Sequence, residues 1–125
     1  MKQHPDIATT TQSDGALVAK AAVRAADFLG LTQSELAGTI GISEASASRM
    51  ASGAFVPSGK AYELALYLIR IYRSLDAIVG GDRKTMRAWM AARNTAVRGV
   101  PRQLVLTGAG LINVMNYLDA SRAPI

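Results

Sequence analysis

Side chains that could catalyse a reaction or hold a metal ion are scarce in this sequence. It has no Cys, and its single His, His4, lies in a polar N-terminal stretch, so disulfides, thiolate catalysis and zinc-finger arrangements are excluded. The Ser and Thr residues have no accompanying base, and no two acidic residues stand at a plausible spacing for a site. The glycines are scattered and form no phosphate-binding loop. We therefore expect no enzyme, no cofactor and no metal site.

Hydrogen-bonding side chains are concentrated instead in residues 31–53, a stretch with clear helix boundaries. Thr32 and Glu35 are spaced as a capping box, in which each side chain satisfies a free amide at the helix start. Gly41 suits the left-handed residue that ends a helix, Ser43 suits the cap of the next helix, and Gly53 suits its end. The residues expected to face inward are Leu36, Ala37, Ile40, Ala47, Met50 and Ala51. Two short helices around a glycine turn have the layout of a helix-turn-helix motif.

The same stretch, LTQSELAGTIGISEASASRMASG, resembles the Xre/lambda-repressor family in its LTQxELA, GIS and SR segments and in the glycine that follows. The resemblance implies operator DNA as a partner, with Arg49 as the principal base reader because its guanidinium fork matches a guanine edge. The implied DNA-contacting residues are Gln33 at a phosphate, Glu44, Ala45 and Arg49 at base edges, and Ser43, Ser46 and Ser48 as further hydrogen-bonding groups. Residues 1–60 carry equal numbers of acidic and basic side chains, whereas DNA affinity depends on phosphate neutralisation. A helix-turn-helix kept only as a scaffold is therefore the alternative.

A second pattern covers residues 89–125, WMAARNTAVRGVPRQLVLTGAGLINVMNYLDASRAPI. A helix carrying Trp89 ends near Asn94, and a polar link leads to Pro101, which suits the first position of a short helix. The segment from Thr107 to Gly110 breaks that helix. The last helix is amphipathic, with an apolar stripe at helical spacing formed by Leu111, Val114, Met115 and Leu118. This spacing alone fits either a cap on the protein's own core or a helix-in-groove contact with another protein.

The order Trp89, Asn94, Gly99, Pro101-x-x-Leu104, Thr107-Gly108-x-Gly110 and Val114-x-x-Tyr117-Leu118 resembles the toxin-binding module of the Xre/MbcA/ParS antitoxins. The link lacks the usual second proline, and Ala109 stands where an acidic residue is often found. The resemblance implies a type II antitoxin that neutralises a RES-domain toxin acting on NAD, covers the toxin's active site with its C-terminal region and represses its own operon. The implied toxin contacts are Trp89, Arg98, Pro101, Leu104, Leu111, Val114, Met115, Leu118, Asp119, Ser121, Arg122 and Ile125. The alternative is a plain helix-turn-helix repressor whose C-terminal half only dimerises.

Composition and periodicity predict an all-α architecture. Half of the 125 residues are hydrophobic and only 6% are aromatic, while Ala is very frequent, which favours close helix packing. We expect residues 1–13 to form a flexible arm, residues 14–79 an Xre-like helix-turn-helix domain with a long central helix, and residues 80–125 the toxin-binding module. The first helix would run from about Gly15 to Leu29 and bury Leu17, Ala21 and Phe28.

The predicted central helix, which Ser58 could cap, is apolar nearly all round between Leu64 and Ile71. Such a helix is typically buried on both sides, either within one chain or also against its mate in a homodimer. No apolar run reaches the ~18 residues that span a membrane, and the N-terminus lacks the layout of a secretory signal, so we expect a cytoplasmic protein.

The basic residues are unevenly distributed along the chain. The net charge is +5, and all of the excess lies in residues 61–125, which hold nine basic and four acidic side chains. A basic half of this kind suits nucleic acid or an acidic protein partner, although it also serves solubility.

Overall fold

The computed structural model describes residues 7–122, with side chains described from residue 14 onward. Within this range the chain forms seven helices and no strand, apart from an isolated bridge between Asn94 and Gly99. The helices are α1 (Ile7–Leu29), α2 (Gln33–Ile40), α3 (Glu44–Ser52), α4 (Gly59–Val79), α5 (Arg83–Ala91), α6 (Pro101–Leu104) and α7 (Gly108–Arg122). The predicted all-α fold, with a helix-turn-helix, a long central helix and a small helical module, is confirmed.

Helix α1 starts earlier than predicted and buries only part of the predicted stripe, since Ala21 and Phe28 are half-buried against the core. It begins at Ile7, inside the stretch predicted to be a flexible arm; residues 1–6 of that arm lie outside the described residues. The face directed at the core consists mainly of small side chains, namely Ala19, Ala22, Ala25, Ala26 and Leu29. The prediction that Leu17 is buried is wrong, because its side chain is 65% exposed. At 3.6 residues per turn, Leu17 shares the opposite face of α1 with Lys20 and Arg24.

Helices α2 and α3 form the predicted helix-turn-helix with the predicted caps. The Glu35 amide donates to Thr32 Oγ1 at 3.0 Å, and the Thr32 amide donates to Glu35 Oε1 at 2.8 Å, which completes the capping box. Gly41 ends α2 in the left-handed conformation at φ 74°. These contacts, with the Ser43 and Gly53 caps of α3, satisfy some of the free amides and carbonyls at the helix ends and so favour two helices of only eight and nine residues.

Helix α4 is the central helix, and its most extensive contacts are with α1 and α7. Leu68 and Ile71 are completely buried, as predicted, but Leu66 is 41% exposed. The helix is therefore not buried all round. Ser58 occupies the N-cap position, but its side chain makes no capping hydrogen bond.

The two predicted modules share one continuous core. Met50 of α3, Leu75 of α4, Met90 of α5 and Leu118 of α7 are each at most 1% exposed and belong to the same cluster of buried residues. Because α4 contributes to both halves of this core, it fixes the position of the C-terminal helices relative to the helix-turn-helix.

Two further properties concern residues 7–122 as a whole. None of the described helices combines the length and apolar character needed to cross a membrane. Within the same range, no three His, Cys, Asp or Glu side chains come together as metal ligands would.

Candidate functional site

A chain of hydrogen bonds runs along α3, the helix predicted to read DNA. The Ser43 hydroxyl accepts the Ser46 amide at 3.0 Å and donates to the Ser46 hydroxyl at 3.0 Å. Arg49 Nη2 donates to the same Ser46 hydroxyl at 3.3 Å. These contacts hold the Arg49 guanidinium along the helix, so its fork is partly oriented before any ligand binds.

The predicted DNA-contacting side chains are accessible. Ser46 is half-buried, and the others are exposed: Gln33, Ser43, Glu44, Ala45, Ser48 and Arg49. Gln33 is the first residue of α2, where the amides of a helix start can meet a phosphate. Arg49 is the one basic residue of α2 and α3, and Glu44 opposes its charge. The geometry therefore permits base contacts, while the two helices themselves neutralise little phosphate charge.

The link between α5 and α6 is an ordered turn. Asn94 and Gly99 exchange two backbone hydrogen bonds, at 2.8 and 3.1 Å. Between them Arg98 adopts a left-handed backbone with φ 65°, which is uncommon for a residue other than glycine. Val97 is buried, and its carbonyl accepts a hydrogen bond from Asn113 Nδ2 of α7 at 3.1 Å. The turn is thus attached to α7 and presents the exposed Arg98 side chain to solvent.

Four of the predicted toxin contacts are core residues. Leu111 and Val114 are 0% exposed, Leu118 is 1% exposed, and Pro101 is buried as well. The structure therefore does not present these four implied toxin contacts on the surface of the subunit. The stripe of α7 packs within the protein's own core, most extensively where α7 meets α4, so burial inside the subunit already removes these side chains from water.

Other predicted contacts keep an accessible part. Trp89 of α5 stacks on Tyr117 of α7, with ring centroids 6.3 Å apart and planes inclined by 8°. Leu104 and Met115 pack against the edge of the core and are also half-buried. Aromatic and long apolar side chains in this situation can bury further area when another protein covers them.

Polar contacts attach the end of α7 to α4. Asp119 Oδ2 accepts from Arg70 Nε at 2.8 Å, and Asp119 Oδ1 accepts from the Ser74 hydroxyl at 3.0 Å. Arg122 Nη1 donates to the same hydroxyl at 3.2 Å. Both carboxylate oxygens of Asp119 therefore accept hydrogen bonds from α4 of the same subunit, whereas the Arg122 side chain is exposed.

Two accessible apolar residues of the C-terminal module, Leu106 in the turn after α6 and Ile112 in α7, are not among the contacts predicted from the sequence. Leu106 is 39% exposed and Ile112 is 40% exposed. Ile112 lies outside the buried stripe of α7, on the polar face that also carries the exposed Asn116. An apolar side chain on a polar helix face is the sequence feature that could have indicated a contact surface. Among the remaining predicted contacts, Ser121 is exposed and Ile125 lies outside the described residues.

Basic residues of the C-terminal half bind the corner between α1 and α2. Arg87 Nε donates to the Phe28 carbonyl at 3.3 Å, and Arg87 Nη2 donates to the Asp27 carbonyl. The guanidinium of Arg83 lies 4.1 Å from the centre of the Phe28 ring, a cation–π arrangement. Some of the basic side chains of residues 61–125 therefore make contacts within the subunit and are not free to bind a partner.

Arg102 of α6 makes the most complete of these contacts. Its guanidinium holds the pKa of the Glu35 carboxyl below its usual value of 4.5, and the Thr32 amide lowers that pKa further. The same pairing raises the pKa of Arg102. The carboxylate that caps α2 is consequently shared between the helix-turn-helix and the C-terminal module.

Comparison with known families agrees with this architecture. Residues 10–70 match the model of the antitoxin Xre-like helix-turn-helix domain, and residues 74–123 match the model of the antitoxin Xre/MbcA/ParS C-terminal toxin-binding domain. A search of curated proteins found no match. The first match ends and the second begins within α4, the helix that both halves share.

Fold and matches together define a helix-turn-helix protein with a toxin-binding module. The chain belongs to the Xre/MbcA/ParS family of antitoxins, whose two domains it contains in the expected order.

Proposed function

We propose that this antitoxin neutralises a RES-domain toxin that acts on NAD, and that its C-terminal region covers the toxin's active site. The observation that carries the proposal is the match of residues 74–123 to the toxin-binding domain, combined with accessible apolar side chains on the same helices. Neutralisation by this route is a binding event, in which the antitoxin needs a complementary surface and no catalytic group.

The proposed toxin surface differs from the one expected from sequence, because the buried stripe of α7 is unavailable. It consists of the half-buried Trp89, Leu104 and Met115 together with the exposed Leu106 and Ile112. Partly exposed aromatic and aliphatic side chains of this kind form the energetic centre of many interfaces. Arg98, Asp119, Ser121, Arg122 and Ile125 are retained as polar and terminal contacts around it.

A capture experiment tests the toxin surface. The product of the gene adjacent to this one, produced with an inactivating substitution, is captured with the full-length antitoxin. We expect Ile112→Glu to abolish capture and to leave NAD consumption by the active toxin uninhibited. Val56→Glu is the matched control, since Val56 is similarly exposed at 41% and lies outside residues 74–123, the part that matches the toxin-binding domain. If unaltered antitoxin neither captures the neighbouring product nor protects NAD, the proposal fails.

We further propose that α2 and α3 bind operator DNA and that two copies in a homodimer read a palindromic site. The support is the accessibility of Gln33 and Arg49 and the partial orientation of the Arg49 fork by Ser46. A gel shift with the chain's own promoter at two salt concentrations tests this. Arg49→Lys keeps the charge but loses the bidentate fork, so we expect preference for the operator to fall while binding to unrelated DNA persists.

The same gel shift separates the antitoxin from a plain repressor. Tight operator binding without any partner, together with failure of toxin capture, would favour the repressor. Toxin capture without any operator binding would leave the helix-turn-helix a scaffold.

A further inference from the structure

A groove lies between α1 and α4, on the side where Leu17 and Leu66 are exposed. It comprises two adjoining depressions of about 580 and 330 Å³. Leu17, Ala21 and Ile69 line both of them, and Leu66 lines the larger. We call this feature the α1–α4 groove. It does not coincide with the proposed toxin surface, because Arg122 is the one described lining residue that also belongs to the predicted toxin contacts.

The two walls of the groove have matching patterns. On α1, Leu17, Lys20, Ala21 and Arg24 follow one another at helical spacing, and on α4 the corresponding run is Leu66, Ile69, Arg70 and Arg73. Residues at i, i+3, i+4 and i+7 lie on one helix face. Each helix therefore contributes apolar residues to the groove and cations to its rim.

The described part of the rim is basic. The charged residues that line the groove there are Lys20, Arg24, Arg70, Arg73 and Arg122, and none of the described lining residues is acidic. Arg70 is paired with Asp119, but Lys20, Arg24 and Arg73 form no salt bridge with any described residue. An apolar floor with unneutralised cations along both edges is complementary to an apolar stripe flanked by carboxylates.

We propose that the α1–α4 groove binds an amphipathic helix of a partner protein whose apolar stripe is flanked by Asp or Glu. The apolar stripe would cover Leu17 and Leu66, and the flanking carboxylates would pair with Lys20, Arg24 and Arg73. Helix-in-groove recognition of this kind is common among proteins. A second copy of this chain fits poorly, since it would bring two basic rims together, and a nucleic acid backbone would leave the apolar floor uncovered. This binding function goes beyond the neutralisation proposed above.

The test uses the full-length protein and a labelled helical peptide with Leu at i, i+3, i+4 and i+7 and Glu on either side. Fluorescence anisotropy measures binding. We expect saturable binding that weakens as salt is raised, about tenfold weaker binding with Leu66→Glu, and a similar loss with Arg73→Glu. Ile78→Glu on the same helix is the control and leaves peptide affinity unchanged, since Ile78 does not line the groove. The same peptide with Lys in place of Glu is expected not to bind.

Several outcomes overturn the proposal. Equal affinity for the Glu and Lys peptides, or an affinity unaffected by Leu66→Glu, excludes the groove as the site. A wild-type dimer that Leu66→Glu converts to a monomer shows that a second copy occupies the groove. Displacement of the peptide by duplex DNA, with loss of DNA binding in Arg73→Glu but not in Leu66→Glu, assigns the rim to nucleic acid. Loss of toxin capture in Leu66→Glu would instead make the groove part of the toxin surface, a result distinct from failure of the toxin proposal itself.

Discussion

Arg102 of α6 and Glu35 of α2 form a bidentate ion pair that joins the C-terminal helices to the helix-turn-helix. Arg102 Nη2 lies 2.6 Å from Glu35 Oε1, and Arg102 Nε lies 3.1 Å from Glu35 Oε2. Arg102 Nη2 also donates to the Gly30 carbonyl at 2.7 Å. Glu35 caps α2 through the Thr32 amide at the same time, so one carboxylate orients the start of α2 and holds α6 against it.

Removal of this ion pair is expected to destabilise the fold. Both side chains are partly exposed, at 32% for Arg102 and 24% for Glu35, so we expect Arg102→Met to lower the free energy of unfolding by only about 1 kcal/mol. Urea unfolding measures the change, and a double-mutant cycle with Glu35→Gln isolates the coupling between the two side chains. Arg93→Met is the control, since Arg93 is exposed and has no salt bridge to a described residue. A coupling energy of zero would show that the pair contributes nothing.

The stability conferred by Glu35 should depend on pH. Arg102 and the Thr32 amide keep the pKa of Glu35 in the folded state below the usual value of 4.5. A carboxylate with a lowered folded pKa stabilises the fold above its unfolded pKa and loses that contribution as pH falls through the folded pKa. The difference in unfolding free energy between wild type and Glu35→Gln is therefore expected to be full at pH 7 and to shrink below about pH 4.5. A difference that grows on acidification would contradict the assignment.

Gly110 is expected to be essential for the contact between α6 and α7. A Cβ at this position would lie 2.0 Å from the Leu104 carbonyl oxygen, which is backbone and cannot rotate away. We expect Gly110→Ala to lower the free energy of unfolding by about 3 kcal/mol, since the start of α7 would have to move away from α6. Gly108→Ala is the matched control, because a Cβ there meets nothing within 4 Å and Ala is favoured over Gly in a helix. Thermal unfolding of the two variants should therefore shift in opposite directions, or only Gly110→Ala should shift.

Arg98 is expected to lower the stability of the fold through its backbone conformation and to contribute to toxin binding through its side chain. Its φ of 65° is unfavourable for a side chain with a Cβ, so Arg98→Gly is expected to raise the free energy of unfolding by about 0.5–1 kcal/mol. If Arg98 contacts the toxin as proposed, the same variant weakens toxin capture although the fold is more stable. Thermal unfolding and capture are measured on one preparation. A stability gain with undiminished capture would remove Arg98 from the toxin surface.

Local features of the fold were predictable because they depend on neighbouring residues. The capping box of Thr32 and Glu35, the left-handed Gly41 and the helix start at Pro101 are each determined within a few positions of the chain. The family resemblance rested on the same residues, and the two family matches confirm it.

The accessible surface could not be derived in this way, because helical periodicity shows which residues share a face but not what that face meets. The stripe of Leu111 and Val114 is compatible with an external partner or with the protein's own core. In the structure both side chains are buried in the core, where α7 packs against α4. Periodicity likewise predicts that Leu17 is internal, whereas it is exposed because the alanines of α1 form the packed face of that helix.

By itself, then, the order of amino acids determined most of the helices and their caps, which follow from short-range backbone and side-chain preferences, and its motifs carried the resemblance to the antitoxin family. Only the tertiary structure decided that Glu35 caps one helix while holding Arg102 of another, that the stripe of α7 is internal, and that Leu17 and Leu66 flank a basic groove. These relationships join residues far apart in the chain, and they depend on the distances and angles at which whole helices pack, which no local pattern encodes.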